Sequence, residues 1–397
     1  MRILTITNLY PNPFHPTRAT FNRQQFRELA VHHPMAVISP IAWTDELTAR
    51  WKGAAALPAG RRVERDGIEV SHPVYFFPPK VMRGLYGGLF RRCIRRSFRR
   101  TVIEFQPDVI LGSWAYPDGW AALDLARRAG LPVVIKVHGS DVLTQSSYPA
   151  RQRKTIETLR AADGVIAVSR DLSEKMIGFG VQPERIRIVY NGVDTQLFRP
   201  GSKSEARAKL GLDAVAPMLL YVGNLLPVKG VDVLIEACAK AAKNGSRFNC
   251  QLVGQGPLRP DLERRIAALG LEQRVKLVGA KPHDELPDWF RAADALVLPS
   301  RSEGVPNVLM EACACGVPFV ATRVGGIPEV AHLGRGELVT AADADALATA
   351  MQNVLNSSHD GAPSAGEFRS HSIAAMEVAS FLQETVDRFR HSPSNAA

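Results

Sequence analysis

The 397-residue sequence is short of several things, and each shortage removes a class of protein. Its five cysteines (Cys93, Cys238, Cys250, Cys313 and Cys315) are odd in number and scattered, which excludes a disulfide framework and leads us to expect reduced thiols in the cytosol. Cys313 and Cys315 form a C-x-C pair in a helical stretch, where the two side chains point apart, and no His or Cys cluster completes a metal site. No run approaches the roughly 18 apolar residues of a membrane span. The first residues, MRILTITNLYP, lack the basic start, long apolar stretch and cleavage site of a signal peptide, so a cytoplasmic protein is expected. The glycine fingerprint G-x-G-x-x-G is incomplete, because Arg259 stands in the last glycine's place in LVGQGPLRP, which argues against a nicotinamide cofactor. Acidic residues also fall short, with 39 Asp and Glu against 49 Lys and Arg, and the formal charge of +10 suggests an acidic partner.

Much of the basic excess lies in FRRCIRRSFRRTVIEF. At about 100° per residue, Arg91, Arg92, Arg95, Arg96, Arg99 and Arg100 share one half of a helix, and Phe90, Ile94, Phe98 and Phe105 share the other. Such a face is either the solvated outside of a core helix or a surface that docks on an anionic membrane, since guanidinium groups pair readily with phosphate. Nucleic acid is not expected, because the run lacks aromatic interleaving and belongs to no nucleic-acid-binding module.

What the chain has in abundance is short β-branched runs alternating with helical patterns. RILTIT, MAVISP, DVILGS, PVVIKV, GVIAVS and RIRIVY precede MLLYVG, FNCQLVG, RVKLVG, ALVLPS and PFVATR, with amphipathic helices between them. Near-continuous apolar strands joined by helices predict parallel sheets covered on both faces. The expected fold is α/β, with two Rossmann-like domains across a cleft. The first domain is read at 1–195 and the second at 196–372, with the boundary at the Pro, Gly, Ser and charge-rich stretch after NGVD. A helix at 373–390 is expected to return to the first domain, packing Met376, Phe381, Val386 and Phe389, and a tail at 391–397 to be disordered. The stretch NSSHDGAPSAGEFRS reads as loose, and Asp343 and Asp345 as the acidic opening of a helix.

Open parallel sheets bind ligands beyond the carboxyl ends of their strands, so the loops there hold the candidate residues. After ALVLPS comes SEGVPNVLMEACACG, where Pro306 suits the first helical position and Gly316 the stop, giving a helix of about three turns. A helix start favours phosphate. Glu303 then lies beside an anion site, and Glu311, one turn inside, can accept two hydroxyl hydrogens from a diol. Phosphate flanked by polyols describes a sugar nucleotide. Lys229 in YVGNLLPVKG is placed to meet a diphosphate. Loops of the first domain offer Asn8, Tyr10 and Arg18 after the first strand, WAYPDGWAA after another, and His138 and Asp141 in VVIKVHGSDVL.

Taken in order, VGNLLPVKG, LVGQGPL, WFRAADALVLPSRSEG, the E-x7-E pair Glu303 and Glu311, NGVD and HGSD resemble the retaining glycosyltransferases of family 4, with the GT-B fold, over nearly the whole chain. The resemblance implies that Glu311 holds the ribose, that Glu303 approaches the donor sugar, and that the backbone of Gly304, Val305, Pro306 and Asn307 contacts sugar and diphosphate. Asn224 and Gly254 fall in the donor-binding loops, although the family often has Arg where Asn224 stands. Lys229 would neutralise the leaving diphosphate and His138 would contact the sugar near its reacting carbon. Ala19 stands where relatives commonly place Gly. The expected donor is a nucleotide-diphosphate sugar, the acceptor a glycan or lipid-linked hydroxyl, and no cofactor or metal is required. Competing readings are a non-catalytic sugar-nucleotide or polyanion binder and a nucleotide-sugar epimerase. A phosphorylase is disfavoured, since no pyridoxal phosphate lysine motif is visible.

Overall fold

Successive side chains of a strand leave opposite faces, and Ile3–Ile6 buries all four of its residues. Leu4 and Ile6 enter one hydrophobic cluster and Ile3 the other. A strand apolar on both sides belongs in the middle of a covered parallel sheet. The computed structural model, which describes residues 1–79, 81–143, 148–357 and 368–391, places it there. The chain forms two units, Met1–Asn191 with the segment from His371 onward, and Gly192–Ser370. The division falls inside NGVD, just before the boundary at 195 read from the sequence.

The first unit carries an eight-stranded sheet in the order Ile186–Ile188, Gly164–Ala167, Val133–Lys136, Val109–Ser113, Ile3–Ile6, Met35–Ile38, Ile68–Ser71 and Arg62–Arg65. All neighbours run parallel except the last pair. The chain fills this sheet outward in both directions from Ile3–Ile6 and Val109–Ser113, so those two strands flank its topological switch point. On one face lie Tyr86–Phe105, the arginine helix, and Trp120–Ala129, which bury Phe90, Ile94, Phe98, Ala121 and Leu125. The other face is covered by Thr20–His32 and by the terminal helix His371–Arg390.

That terminal helix packs through Ala374, Ala375, Val378, Phe381, Leu382 and Val386. Met376, expected in the packed set, is instead 52% exposed, because the small residues Ala374 and Ala375 occupy the face that meets the sheet. The tail beyond His391 and most of the loose stretch, residues 358–367, lie outside the described residues.

The second unit repeats the plan with a six-stranded parallel sheet in the order Val275–Gly279, Asn249–Val253, Met218–Val222, Ala295–Leu298, Phe319–Thr322 and Gly336–Val339. Its switch point lies between Met218–Val222 and Ala295–Leu298. Asp343 caps the helix Ala344–Asn356, accepting from the Asp345 and Ala346 amides at 3.1 and 2.9 Å. All five cysteines are free thiols, and four of them are buried.

Candidate functional site

In the second unit, the two loops that leave the switch-point strands carry Lys229 and Glu303, 74 residues apart in sequence. They meet. Lys229 Nζ donates to Glu303 Oε1 at 2.7 Å and Oε2 at 2.9 Å, and the buried Ser300 hydroxyl donates to Oε1 at 2.6 Å. The loops are locked together beneath this pair, with the Arg301 amide donating to Val228 O and the Arg301 guanidinium to Pro227 O and, bidentately, to Asp232. Arg301 is therefore committed to the Lys229 loop and to Asp232, which together with Glu236 holds its pKa up.

Two glycines allow this packing. Gly325 adopts φ 53°, and a Cβ there would lie 1.9 Å from Glu303 O. Gly254 adopts φ 151°, and its Cβ would lie 1.8 Å from Gly223 O, next to Asn224. Backbones approach more closely at both places than any side chain permits. Asn224 itself is exposed, and its carbonyl accepts from the buried Tyr221 hydroxyl at 2.9 Å.

Beyond Gly304 and Val305, the helix runs Asn307–Ala314. It is shorter than the three turns expected, and Pro306 takes the N-cap position rather than the first helical one, since its ψ of 113° is extended. Pro306 offers no side-chain cap, the Leu309 amide donates back to Pro306 O at 3.1 Å, and the helix starts four residues beyond Glu303. Gly316, at φ 79°, marks the stop as read. Glu311, on the second turn, accepts from or pairs with His283 Nε2 at 3.0 Å. Burial pulls the His283 pKa down, but the hydrogen bond and charge of Glu311, with Asp194 and Asp284 behind them, outweigh it and raise the pKa above its ordinary value. Phe198 packs edge-on against the imidazole at 5.0 Å. Sequence reading missed His283, although the stretch KPHDEL offered a histidine at a strand end.

The first unit gathers His138, Asp141 and Asn8 around its own switch point. Asn22 Nδ2 donates to Leu9 O at 2.7 Å, which fixes the amide so that Oδ1 accepts. Ser113 spends its one hydrogen on that oxygen at 3.1 Å. The 2.8 Å contact between Ser113 Oγ and His138 Nε2 is then donated by the imidazole, which leaves Nδ1 as an acceptor. Burial, reinforced by the Lys136 charge, holds the His138 pKa well below its ordinary value, so the ring is neutral. Phe21 and Trp114 flank it at 4.9 and 6.4 Å.

Asp141, expected on the acceptor side, is fully buried and turned to the backbone. It accepts from the His138 and Gly139 amides at 3.0 Å each and from the Ala115 amide at 3.0 Å. Burial pushes its pKa up to about 6 against these bonds, and its role is to position the His138 loop. Tyr10 is corrected outright. It is 0% exposed, stacks on Phe26 at 5.6 Å and belongs to the core, where burial pushes its pKa up to about 12. Arg18 pairs with Asp45 at 3.3 Å. Ala19 sits at φ 48°, ψ 53°, a left-handed conformation that glycine adopts without steric cost.

Two groups went unread. Asp118, wholly buried, receives the Asn8 amide at 2.6 Å, has no partner for Oδ1 among the described residues, and is pushed by burial to a pKa of about 8. Lys136 is buried at the end of Val133–Lys136, on the face covered by Thr20–His32. Its Nζ donates to Gln25 Oε1 at 2.6 Å and to Asn191 Oδ1 at 3.4 Å, and burial lowers its pKa to about 7.

Two Rossmann-like sheets with polar groups at each switch point define an α/β protein of the GT-B class. Solved structures share that fold. Anabaena HepE in complex with UDP and glucose superposes with a TM-score of 0.70 at 20% identity, covering 98% of this chain and 97% of that one. The catalytic domain of starch synthase IV from Arabidopsis thaliana, bound to ADP and acarbose, gives 0.72 at 14% identity, covering 98% and 100%. Residues 202–369 match the family described as Glycosyl transferases group 1, and residues 44–197 match Glycosyltransferase Family 4. A D-inositol 3-phosphate glycosyltransferase of Frankia alni is 34% identical over 71% of this chain and 77% of its own length. For D-inositol 3-phosphate glycosyltransferase 1 of Catenulispora acidiphila the figures are 35%, 53% and 54%, so the match spans about half of that relative. The chain belongs to glycosyltransferase family 4.

Proposed function

We propose that the protein is a retaining, metal-independent glycosyltransferase that moves a sugar from a nucleotide-diphosphate donor to a hydroxyl of a glycan or lipid-linked acceptor, in the making of cell-surface polysaccharide or glycolipid. The observation that carries this reading is the Lys229–Glu303–Ser300 contact at a switch point, in the loop that leads into the helix Asn307–Ala314. A diphosphate at that helix start takes the ammonium now shared with Glu303 and frees the carboxylate oxygens for sugar hydroxyls. Glu311, oriented by His283, accepts from the ribose diol.

Charge grows on the diphosphate as the glycosidic bond breaks, and Lys229 and the positive dipole end of the helix stabilise it, a term worth about 3 kcal/mol for one well-placed donor. His138 Nδ1 accepts a hydroxyl hydrogen from the donor sugar. The acceptor oxygen attacks carbon 1 from the side of the leaving group. The bond from carbon 1 to the phosphate oxygen breaks, and the acceptor proton passes to that oxygen, so configuration is retained. On this reading the second unit holds the diphosphate and ribose of the donor, and the first offers His138 to the sugar together with the acceptor side. The names of the relatives add phosphorylated polyols to the acceptors worth assaying.

Calorimetric titration with nucleoside diphosphates, followed by assay of a nucleotide-sugar panel with and without acceptors, tests this. Binding without turnover is the mark of a non-catalytic protein, and altered sugar released without acceptor that of an epimerase. Chelator is expected to have little effect. Full transfer by Lys229→Ala overturns the reading.

A further inference from the structure

The arginine helix Tyr86–Phe105 buries Phe90, Ile94 and Phe98, which turns its opposite side outward. There it forms one wall of a groove of about 860 Å³, and Trp120–Ala129 forms the other. Arg91, Arg92, Arg95, Arg99 and, from the second helix, Arg128 line it. The groove holds a single carboxylate, Asp124, already paired with Arg91 at 3.1 Å and Arg128 at 2.8 Å. Arg92, Arg95 and Arg99 have no carboxylate partner among the described residues, and they form one stripe two turns, about 10 Å, long.

Of the six arginines read as one face, the structure therefore selects. Arg96 and Arg100 do not line the groove, and Arg100 is paired with Glu104 at 2.8 Å.

Between the guanidinium groups the lining is apolar, through Leu89, Phe98 and Val102, and each end carries an outward hydrocarbon side chain: Leu85, 53% exposed, and Ile103, 76% exposed. Val81 and Met82, just before the helix, are 56% and 63% exposed. Scattered exposed apolar residues need no explanation, but these flank a basic groove on one helix. Cationic groups at the level of phosphates, with hydrocarbon reaching past them, are the chemistry of a surface that seats in the headgroup layer of an anionic bilayer. Bases of a nucleic acid find no stacking ring here, since Phe98, the groove's one aromatic ring, is 4% exposed.

We propose that this groove binds the phosphate headgroup of an anionic phospholipid, with Arg92, Arg95 and Arg99 on phosphate and Leu85 and Ile103 entering the hydrocarbon boundary. The proposal deepens the functional reading only in giving a lipid-linked acceptor a surface to be met on. The groove itself stands on its own residues.

Co-sedimentation of the full chain with vesicles of phosphatidylcholine, alone or mixed with phosphatidylglycerol, tests it. Binding to the mixed vesicles alone is expected. The triple variant Arg92→Ala, Arg95→Ala, Arg99→Ala is expected to weaken it about a hundredfold, from roughly a factor of five for each basic residue at an anionic surface. Arg96→Ala with Arg100→Ala is expected to weaken it far less, and Leu85→Ser with Ile103→Ser to abolish the part that survives high salt. Nucleoside diphosphate titration of the same variants checks that they fold and keeps a failure here distinct from failure of the functional reading. The groove is overturned if the mixed vesicles do not bind, if loss depends only on the number of arginines removed, or if a short duplex binds more tightly than vesicles at equal salt.

Discussion

The two units place polar groups at the same topological position and treat them in opposite ways. In the second unit, Lys229 and Glu303 are held as an ion pair with access to solvent, the lysine side chain being 26% exposed. In the first, Lys136, His138, Asp141 and Asp118 are drawn away from water and pushed toward their neutral forms, the amine and imidazole downward and the acids upward. Burial disfavours the charged form whatever its sign. An exchangeable ion pair suits a charged ligand, which can replace one partner. A neutral cluster with an imidazole acceptor suits uncharged hydroxyls. On the functional reading above, the charged end of the donor belongs to the second unit, and the first contributes only neutral acceptors for hydroxyls.

The largest expected effect tests the charged half. Lys229→Ala leaves the diphosphate without its ammonium and should lower kcat roughly a hundredfold or more, whereas Lys229→Arg should recover part of it. Steady-state rates with saturating donor decide. Wild-type rates in the alanine variant break the contrast, because the ion pair would then serve packing alone.

Next in size is the backbone that lets the loops of the second unit meet. Gly254→Ala sets a methyl group 1.8 Å from Gly223 O at a φ of 151°. It should cost about 3 kcal/mol or more, visible as a lower thermal transition. An unchanged transition would show that this close approach is not needed.

In the first unit the corresponding test is Asp141→Ala, which leaves the amides of His138, Gly139 and Ala115 without their acceptor. Each such buried donor costs about 1–3 kcal/mol. Loss of stability together with a higher KM is expected, because the His138 loop moves, and Asp141→Asn should restore much of both by keeping one oxygen acceptor. A drop in kcat alone would instead make Asp141 a participant in chemistry.

These tests also mark what the sequence could say. The central strands were legible because runs such as ILTI and VVIK are apolar on both faces, and their strand ends pointed to the right loops. The edge hairpin Arg62–Arg65 and Ile68–Ser71 was not, since RVER is a charged edge strand without the alternation that marks a half-buried one. Glu303, Lys229 and Glu311 stood out by residue type and place, but their partners did not. Nothing local brings Ser300 and Lys229 onto one carboxylate, or His283 onto Glu311, because sheet order does that. Tyr10 misled, and Lys136 went unread. A tyrosine in a loop after a strand looks like a ligand contact until Phe26 is found beside it, and a lysine ending VVIK gives no local sign that Thr20–His32 covers it.

The most discriminating effects are those of pH, because the two buried groups Asp118 and Lys136 of the first unit should titrate stability in opposite senses. Asp118 has a folded pKa of about 8 against 3.8 unfolded. Between those values the folded chain binds the extra proton, so stability falls as pH rises and levels off above the upper one. Asp118→Asn removes that loss, on the order of a few kcal/mol, and should gain on wild type from pH 5 to pH 8. Lys136 has a folded pKa of about 7 against 10.5. Here the unfolded chain binds the extra proton between the two values, so stability rises with pH through that window, and the full penalty is present below it. Lys136→Met should therefore be most stabilising, relative to wild type, below pH 7 and lose its advantage toward pH 10. Denaturant midpoints of both variants across that range measure it. Parallel rather than opposed trends would mean that the two groups share one proton network and that the first unit is not simply a low-dielectric counterpart of the second.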